Sequence, residues 1–188
     1  MNGENRYPSK DTRRIAILGT TGSGKTTLAL QLSKMLGIPA VELDAIRHGP
    51  NWTETPDDEF RRRIAGSLRG DHWIVDGNYT VARDIIWPRA TTLIWLDYSF
   101  PLVFWRLFRR TMIRGIMRTR LWNDNTEDLW RHFLTKDSLF LWAIQTHWKR
   151  RKSLADTLTS EDYRQIEVLR FKSVKETRRW LESISAEM

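Results

Sequence analysis

Eight consecutive residues, Gly19-Thr20-Thr21-Gly22-Ser23-Gly24-Lys25-Thr26, satisfy the spacing G-x-x-x-x-G-K-[ST] at every fixed position. Glycines let a backbone curl until successive N–H groups point inward, which makes a concave anion site, and a helix starting there adds its positive end. The chemistry expected is a grip on a nucleoside triphosphate. Lys25 would bridge the β- and γ-phosphates, the Thr26 hydroxyl would ligate Mg²⁺, and Thr27 extends the loop into the helix. A glycine turn that merely joins a strand to a helix is the competing reading. The apolar run before the motif and the helical pattern after it favour the grip.

Two further groups of residues carry charge in telling places. Asp44, Asp76 and Asp97 each follow a short apolar run, and Asp76 precedes a glycine. Between Trp105 and Arg120 stand six arginines, at 106, 109, 110, 114, 118 and 120, with no acid among them. Like charges at helical spacing repel unless an anion compensates them. Developing negative charge on a transferred phosphoryl group is one such anion.

The elements that must hold these residues are legible from periodicity. Short apolar strands are expected at Arg14 to Gly19, Ala40 to Leu43, His72 to Val75, Thr91 to Leu96 and Gln165 to Phe171. Helical spacing links Leu28, Leu32, Met35 and Leu36, with Gly37 and Pro39 as stops. A second helix runs from about Asp57 to Arg69, with Thr55 as its cap. A short helical segment near Val81 to Trp87 stops at Pro88, and Pro101 opens a long basic helix. The stretch from Glu127 to about Leu158 has one apolar face, carrying Trp130, Phe133, Leu134, Phe140, Leu141, Ile144 and Trp148. The basic run Lys149 to Lys152 is read there as the helix end. Ser173 and Glu176 make a capping box for a last helix.

Alternation of strand and helix throughout predicts an α/β fold with a five-stranded parallel sheet between two helical layers. Ligands of such sheets bind at the carboxyl ends of the strands, where Gly19, Asp44, Asp76 and Asp97 fall. The chain of 188 residues suits one domain, 14–188, behind a disordered leader, 1–13, with a basic helical lid or insert around 101–158.

Composition narrows the function classes. Cysteine is absent, which excludes disulfides, thiolate zinc sites and a cysteine nucleophile, and fits a reducing compartment such as the cytoplasm. No apolar run is long enough for a membrane span. The four histidines are isolated from one another. They give no metal-ligand spacing. The formal charge of +8 calls for an acidic partner, either a polyphosphate or nucleic acid. A hydrolysing motor or switch is disfavoured, because no Glu follows Asp76 or Asp97 and no Asn-Lys-x-Asp occurs.

From Arg14 to Leu181 the sequence resembles the adenylate-kinase-like P-loop kinases, in particular the small bacterial DNA topology modulation (FlaR-related) proteins. The resemblance rests on the loop, on Leu43-Asp44-Ala45 before a Trp-containing loop, and on Trp73-Ile74-Val75-Asp76-Gly77-Asn78-Tyr79. It rests also on Leu93-Ile94-Trp95-Leu96-Asp97 before a helix with paired arginines. It implies a fold of the nucleoside/nucleotide-kinase type, ATP and Mg²⁺ as cofactors, and a magnesium-shell role for Asp76. It assigns Arg106 to the base and Arg110, with Arg109 as alternative, to phosphate. It sets Asp44 beside the acceptor hydroxyl, as base or orienting group. Asn78 and Tyr79 stand where AMP-reading kinases carry Phe-Pro, so an acceptor other than AMP is expected. Asn78, Tyr79 and Trp52 are candidates for its pocket, and Asp97 reads as structural.

The expected activity is transfer of the ATP γ-phosphoryl to a nucleoside, nucleotide or other hydroxyl metabolite by a monomer or homodimer, with Thr111 to Thr126 closing over the site. The alternative is a nucleic-acid-associated ATP-binding protein, for which no recognition signature is present.

Overall fold

The computed structural model describes residues 13–116 and 139–186. The leader, Arg118, Arg120, Trp130, Phe133, Leu134, most of the expected closing segment and the first part of the Glu127 helix lie outside the described residues.

Five strands form one sheet: β1 (Arg14–Gly19), β2 (Ala40–Glu42), β3 (Trp73–Asp76), β4 (Thr92–Leu96) and β5 (Glu167–Phe171). Their order is β2-β3-β1-β4-β5 and every pairing is parallel. Parallel strands need covering on both faces, and the inner runs are apolar throughout for that reason. Alternate residues of one strand serve opposite cores. Ala16 and Leu18 pack with Trp73, Val75, Leu93 and Trp95. Ile15 and Ile17 pack with Ile74, Ile94 and Leu96.

The first face is covered by α3 (Asp57–Ser67) and α4 (Arg83–Ile86), through Phe60, Ile64 and Ile86, with Leu154 from α6 (Leu139–Leu158). The second is covered by α1 (Lys25–Leu36), α5 (Phe100–Ile116) and α7 (Val174–Ala186), through Leu28, Leu32, Val103, Trp180 and Ile184. This is the expected three-layer α/β/α arrangement.

Several boundaries differ from the sequence expectation. Strand β2 ends at Glu42, and Leu43–Arg47 turns at once into a short helix, α2. Asp44 thus sits in the first turn of a helix instead of on a strand end. Periodicity cannot register so short a helix. Thr55 does not cap α3, whose N-cap is Pro56; its hydroxyl donates to the Ile46 carbonyl instead, at 2.8 Å. Pro88 does not stop the segment before β4, because it sits within a 3-10 turn, Trp87–Arg89, where its missing N–H is harmless. Lys149 to Lys152 is not a helix end, since α6 continues to Leu158. The capping box is present: Ser173 Oγ accepts from Glu176 N at 3.2 Å, and Glu176 reaches back to Lys172 N at 2.8 Å.

Candidate active site

The loop Gly19 to Thr26 joins β1 to α1 with its glycines in the left-handed region, Gly22 at φ 85° and Gly24 at φ 96°. Side chains rarely tolerate such angles. Space decides as much as conformation at Gly22, where an added Cβ would lie 2.5 Å from the Val103 carbonyl of α5. The loop is therefore seated directly on the arginine helix. Arg106 secures the contact, donating from Nη1 to the Ser23 carbonyl at 3.1 Å with its guanidinium 5.6 Å from the Tyr98 ring centroid. Arg110 follows one turn later and faces the same space.

That space is a cavity of about 1130 Å³ along the carboxyl edge of the sheet. One end holds Thr21 to Thr27, Arg106 and Arg110, with Val174, Thr177, Arg178 and Leu181 from α7. The other holds Asp44, His48, Trp52, Glu54 and Tyr79. Asp76 also lines the cavity, so the loop, Asp44, Asp76, Arg106 and Arg110, all singled out by the sequence, border one space.

Three oxygen-bearing side chains converge there. Strands β2 and β3 bring Glu42 opposite Asp76 in register. The Thr26 hydroxyl donates to Asp76 Oδ2 at 2.5 Å and lies 3.1 Å from Glu42 Oε1. Asp76 is buried, and its second oxygen, Oδ1, has no hydrogen-bond partner. A buried carboxylate oxygen without a partner is costly unless something else occupies it. Burial pushes the Asp76 carboxyl up to about 6, against the pull of the Thr26 hydrogen bond and with help from Glu42. One hydroxyl and two carboxylates are hard oxygen donors of the kind Mg²⁺ takes together with substrate phosphates. The residues present therefore fit that ion.

Lys25 is half-buried, and its ammonium donates to the Thr20 carbonyl at 3.3 Å. Burial lowers its pKa, Asp44 and Asp76 oppose that shift, and Arg110 and Arg150 add to it. Arg150, on α6, borders small recesses formed by Gly19, Thr20, Thr21 and Asn78. Burial of its guanidinium lowers its own pKa, although the residue keeps an exposed edge. Asn78 thus faces this recess, and Tyr79 alone of the pair lines the main cavity. The Tyr79 hydroxyl donates to Asp44 Oδ1 at 2.6 Å, and burial with the Asp44 charge raises its pKa. Asp97 is structural: it is buried and paired with Arg151 at 2.6 Å and Arg170 at 2.6 Å.

Sequence reasoning missed Glu42 and Arg150. The signal for Glu42 was an acid two residues before Asp44, which straddles the strand end. For Arg150 it was the basic run, whose adjacent arginines point to different tasks on one helix: Arg151 to Asp97, Arg150 to the loop.

No protein-family model matches the sequence, and no curated protein matches it. Solved structures do. Shikimate kinase from Bacteroides thetaiotaomicron aligns with a TM-score of 0.56 at 15% identity, covering 93% of this chain and 97% of that one. Shikimate kinase from Acinetobacter baumannii, in complex with shikimate, aligns at 0.52 and 16% identity, covering 95% and 96%. A gluconokinase from Sinorhizobium meliloti 1021 aligns at 0.49 and 14%, covering 94% and 95%. This chain shares the fold of these P-loop kinases, an all-parallel five-stranded sheet with helices on both sides. At these identities the likeness is one of fold, and the acceptor must be argued from the site.

Proposed function

We propose that the protein is an ATP-dependent kinase that phosphorylates a hydroxyl group of a small molecule. The observation that carries this reading is that the Lys25-Thr26 loop and the hydrogen-bonded Asp44–Tyr79 pair line one cavity. A site built only to bind or hydrolyse nucleotide needs no second compartment with its own acid.

The base and ribose of ATP lie between Arg106, Tyr98 and the α7 residues Val174, Thr177 and Arg178. The triphosphate follows the loop amides to Lys25. Thr26 and Asp76, joined by Glu42, would hold Mg²⁺, which would neutralise phosphate charge. Asp44 orients the acceptor hydroxyl and takes its proton as the acceptor oxygen bonds to the γ-phosphorus. The bond from that phosphorus to the β,γ-bridging oxygen breaks, and ADP departs with the electron pair. Tyr79 holds the Asp44 carboxylate in line. Lys25, Arg110 and Arg150 face the transferring oxygens, where positive charge lowers the barrier most. Among AMP-reading kinases the third strand leads into Phe-Pro; the Asn78-Tyr79 found here supports a different acceptor. The Trp73 to Tyr79 motif supports kinship with the adenylate-kinase-like group and its FlaR-related members. A single domain spanning 14–188, acting in the cytoplasm, suits this role.

A nucleic-acid role draws on net charge, yet Arg47, Arg61, Arg151 and Arg170 are all engaged by acids of the protein itself. Among the described residues no helix is long and apolar enough to cross a membrane. The decisive experiment is transfer of label from γ-labelled ATP to a panel of hydroxyl compounds, with Asp44→Asn as control. Transfer that survives this substitution undiminished would exclude Asp44 as the base.

A further inference from the structure

The acceptor end of the cavity is acidic and aromatic, with Asp44, Glu54, Trp52 and Tyr79, and the arginines on the adjoining helices α2 and α3 are ion-paired to acids of the protein. The α2 arginine, Arg47, donates to Glu54 at 2.8 Å, to Asp57 at 2.6 Å and to the Thr55 carbonyl at 3.0 Å. Its guanidinium also lies 5.2 Å from the Phe60 ring centroid. On α3, Arg61 is clamped by both Asp84 oxygens at 2.7 Å, and also donates to the Val81 carbonyl. Three of the five N–H donors of each guanidinium, and its whole charge, are thus committed to acids and carbonyls of the protein. The cavity's described cations, Lys25, Arg106, Arg110 and Arg178, come from α1, α5 and α7, and none comes from the α2–α3 segment that supplies Asp44, His48, Trp52 and Glu54.

The loop between α2 and α3 supplies the remaining wall. Asn51 and Trp52 take successive left-handed conformations, at φ 55° and φ 57°. Non-glycine residues hold such angles only where surrounding contacts impose them. Those contacts are an antiparallel bridge from His48 to Glu54 and a bond from Gly49 N to the Thr53 carbonyl at 2.7 Å. The result aims the half-buried Trp52 indole into the cavity, with the His48 ring edge-on to it at 5.5 Å.

We propose that this compartment selects an acceptor with no phosphate or carboxylate, uncharged or cationic, that lays a ring face on Trp52 and delivers a hydroxyl to Asp44. The inference rests on the kinase reading above and specifies its substrate class. An anionic acceptor would meet Asp44 and Glu54 while the charges of Arg47 and Arg61 are already matched by Glu54, Asp57 and Asp84, a rejection by charge as much as by shape. Trp52 supplies broad apolar contact at little entropic cost.

The test uses the full chain, MgATP and acceptors matched in pairs that differ in one anionic group: adenosine with AMP, cytidine with CMP, glucose with gluconate. The expected result is phosphorylation of an uncharged member with kcat/KM at least ten times that of its anionic partner. Glu54→Gln, which removes one carboxylate charge from the acceptor wall and one of the two acids paired with Arg47, should narrow that ratio severalfold. Trp52→Ala should raise KM for the accepted compound severalfold, and Trp52→Phe should restore it. Preference for an anionic member, transfer to no uncharged member, or a ratio unmoved by Glu54→Gln overturns the inference. Failure of MgATP to bind in calorimetry would instead overturn the kinase reading itself, so the two failures are distinguishable.

Discussion

The Thr26 hydroxyl stands 2.5 Å from Asp76 Oδ2, a hydrogen bond joining the first turn of α1 to the carboxyl end of β3. It links the phosphate loop to the acid that fits a magnesium site, and it is made by residues 50 positions apart.

The same acid sets a pH dependence. Asp76 titrates near 6 in the folded chain against an ordinary value of 3.8, because burial penalises its charged form. The folded state therefore holds this proton to higher pH than the unfolded state. Stability of the nucleotide-free protein falls as pH rises from about 4 to about 6, and stays lower above that. Asp76→Asn should remove the penalty. Thermal denaturation should show the variant more stable than the parent at pH 7.5, by up to about 3 kcal/mol, with the two converging near pH 4. Metal-dependent turnover should be lost in the same variant. A parent whose stability rises from pH 4 to pH 6 in step with Asp76 ionisation would contradict this.

Lys25→Met replaces a desolvated ammonium with an apolar chain of similar length. Turnover should fall at least about a hundredfold, while the melting temperature is unchanged or slightly raised. Steady-state phosphoryl transfer and calorimetric titration with MgATP check both halves.

Asp44→Asn should lower kcat by about 10² to 10⁴, the range for loss of a general base. Tyr79→Phe keeps the ring contact with Phe60, at 5.1 Å, and removes only the hydroxyl. It should lower kcat by about tenfold, equivalent to about 1.4 kcal/mol, leaving MgATP affinity unaltered. Equal losses of MgATP affinity and kcat would show that the pair acts on nucleotide instead.

Gly22→Ala should disrupt the seat between loop and arginine helix. The added carbon meets the Val103 backbone oxygen, which cannot rotate away, and the position has φ 85°. Nucleotide affinity should drop at least tenfold, and the melting temperature with it. Gly66→Ala, at a helical position with open space around it, provides the control.

Neighbouring arginines on α6 should separate by phenotype. Arg151→Gln removes one of two partners of buried Asp97 and should lower the melting temperature with transfer retained. Arg150→Gln should reduce kcat with little change in melting temperature. The opposite pattern would reverse the two assignments.

Much of this was written locally. The G-x-x-x-x-G-K-[ST] spacing, a strand before it and a helical period after it define an anion grip without reference to anything distant in the chain. Alternating strand and helix patterns likewise imply a parallel sheet, because crossovers of that length permit little else. Asp44 and Asp76 were recognisable by their positions after apolar runs. What the sequence could not determine depends on elements far apart meeting. Glu42 acquires its place only when β2 pairs with β3, and the five-residue α2 is too short for any periodicity to register. Arg150 and Arg151 are indistinguishable as neighbours in a basic run, yet a helix rotates successive side chains by about 100°. One then meets Asp97 and the other the loop. The state of Arg47 was equally hidden, since a guanidinium is free or engaged according to which carboxylates the fold carries within reach, and that is a property of three dimensions alone.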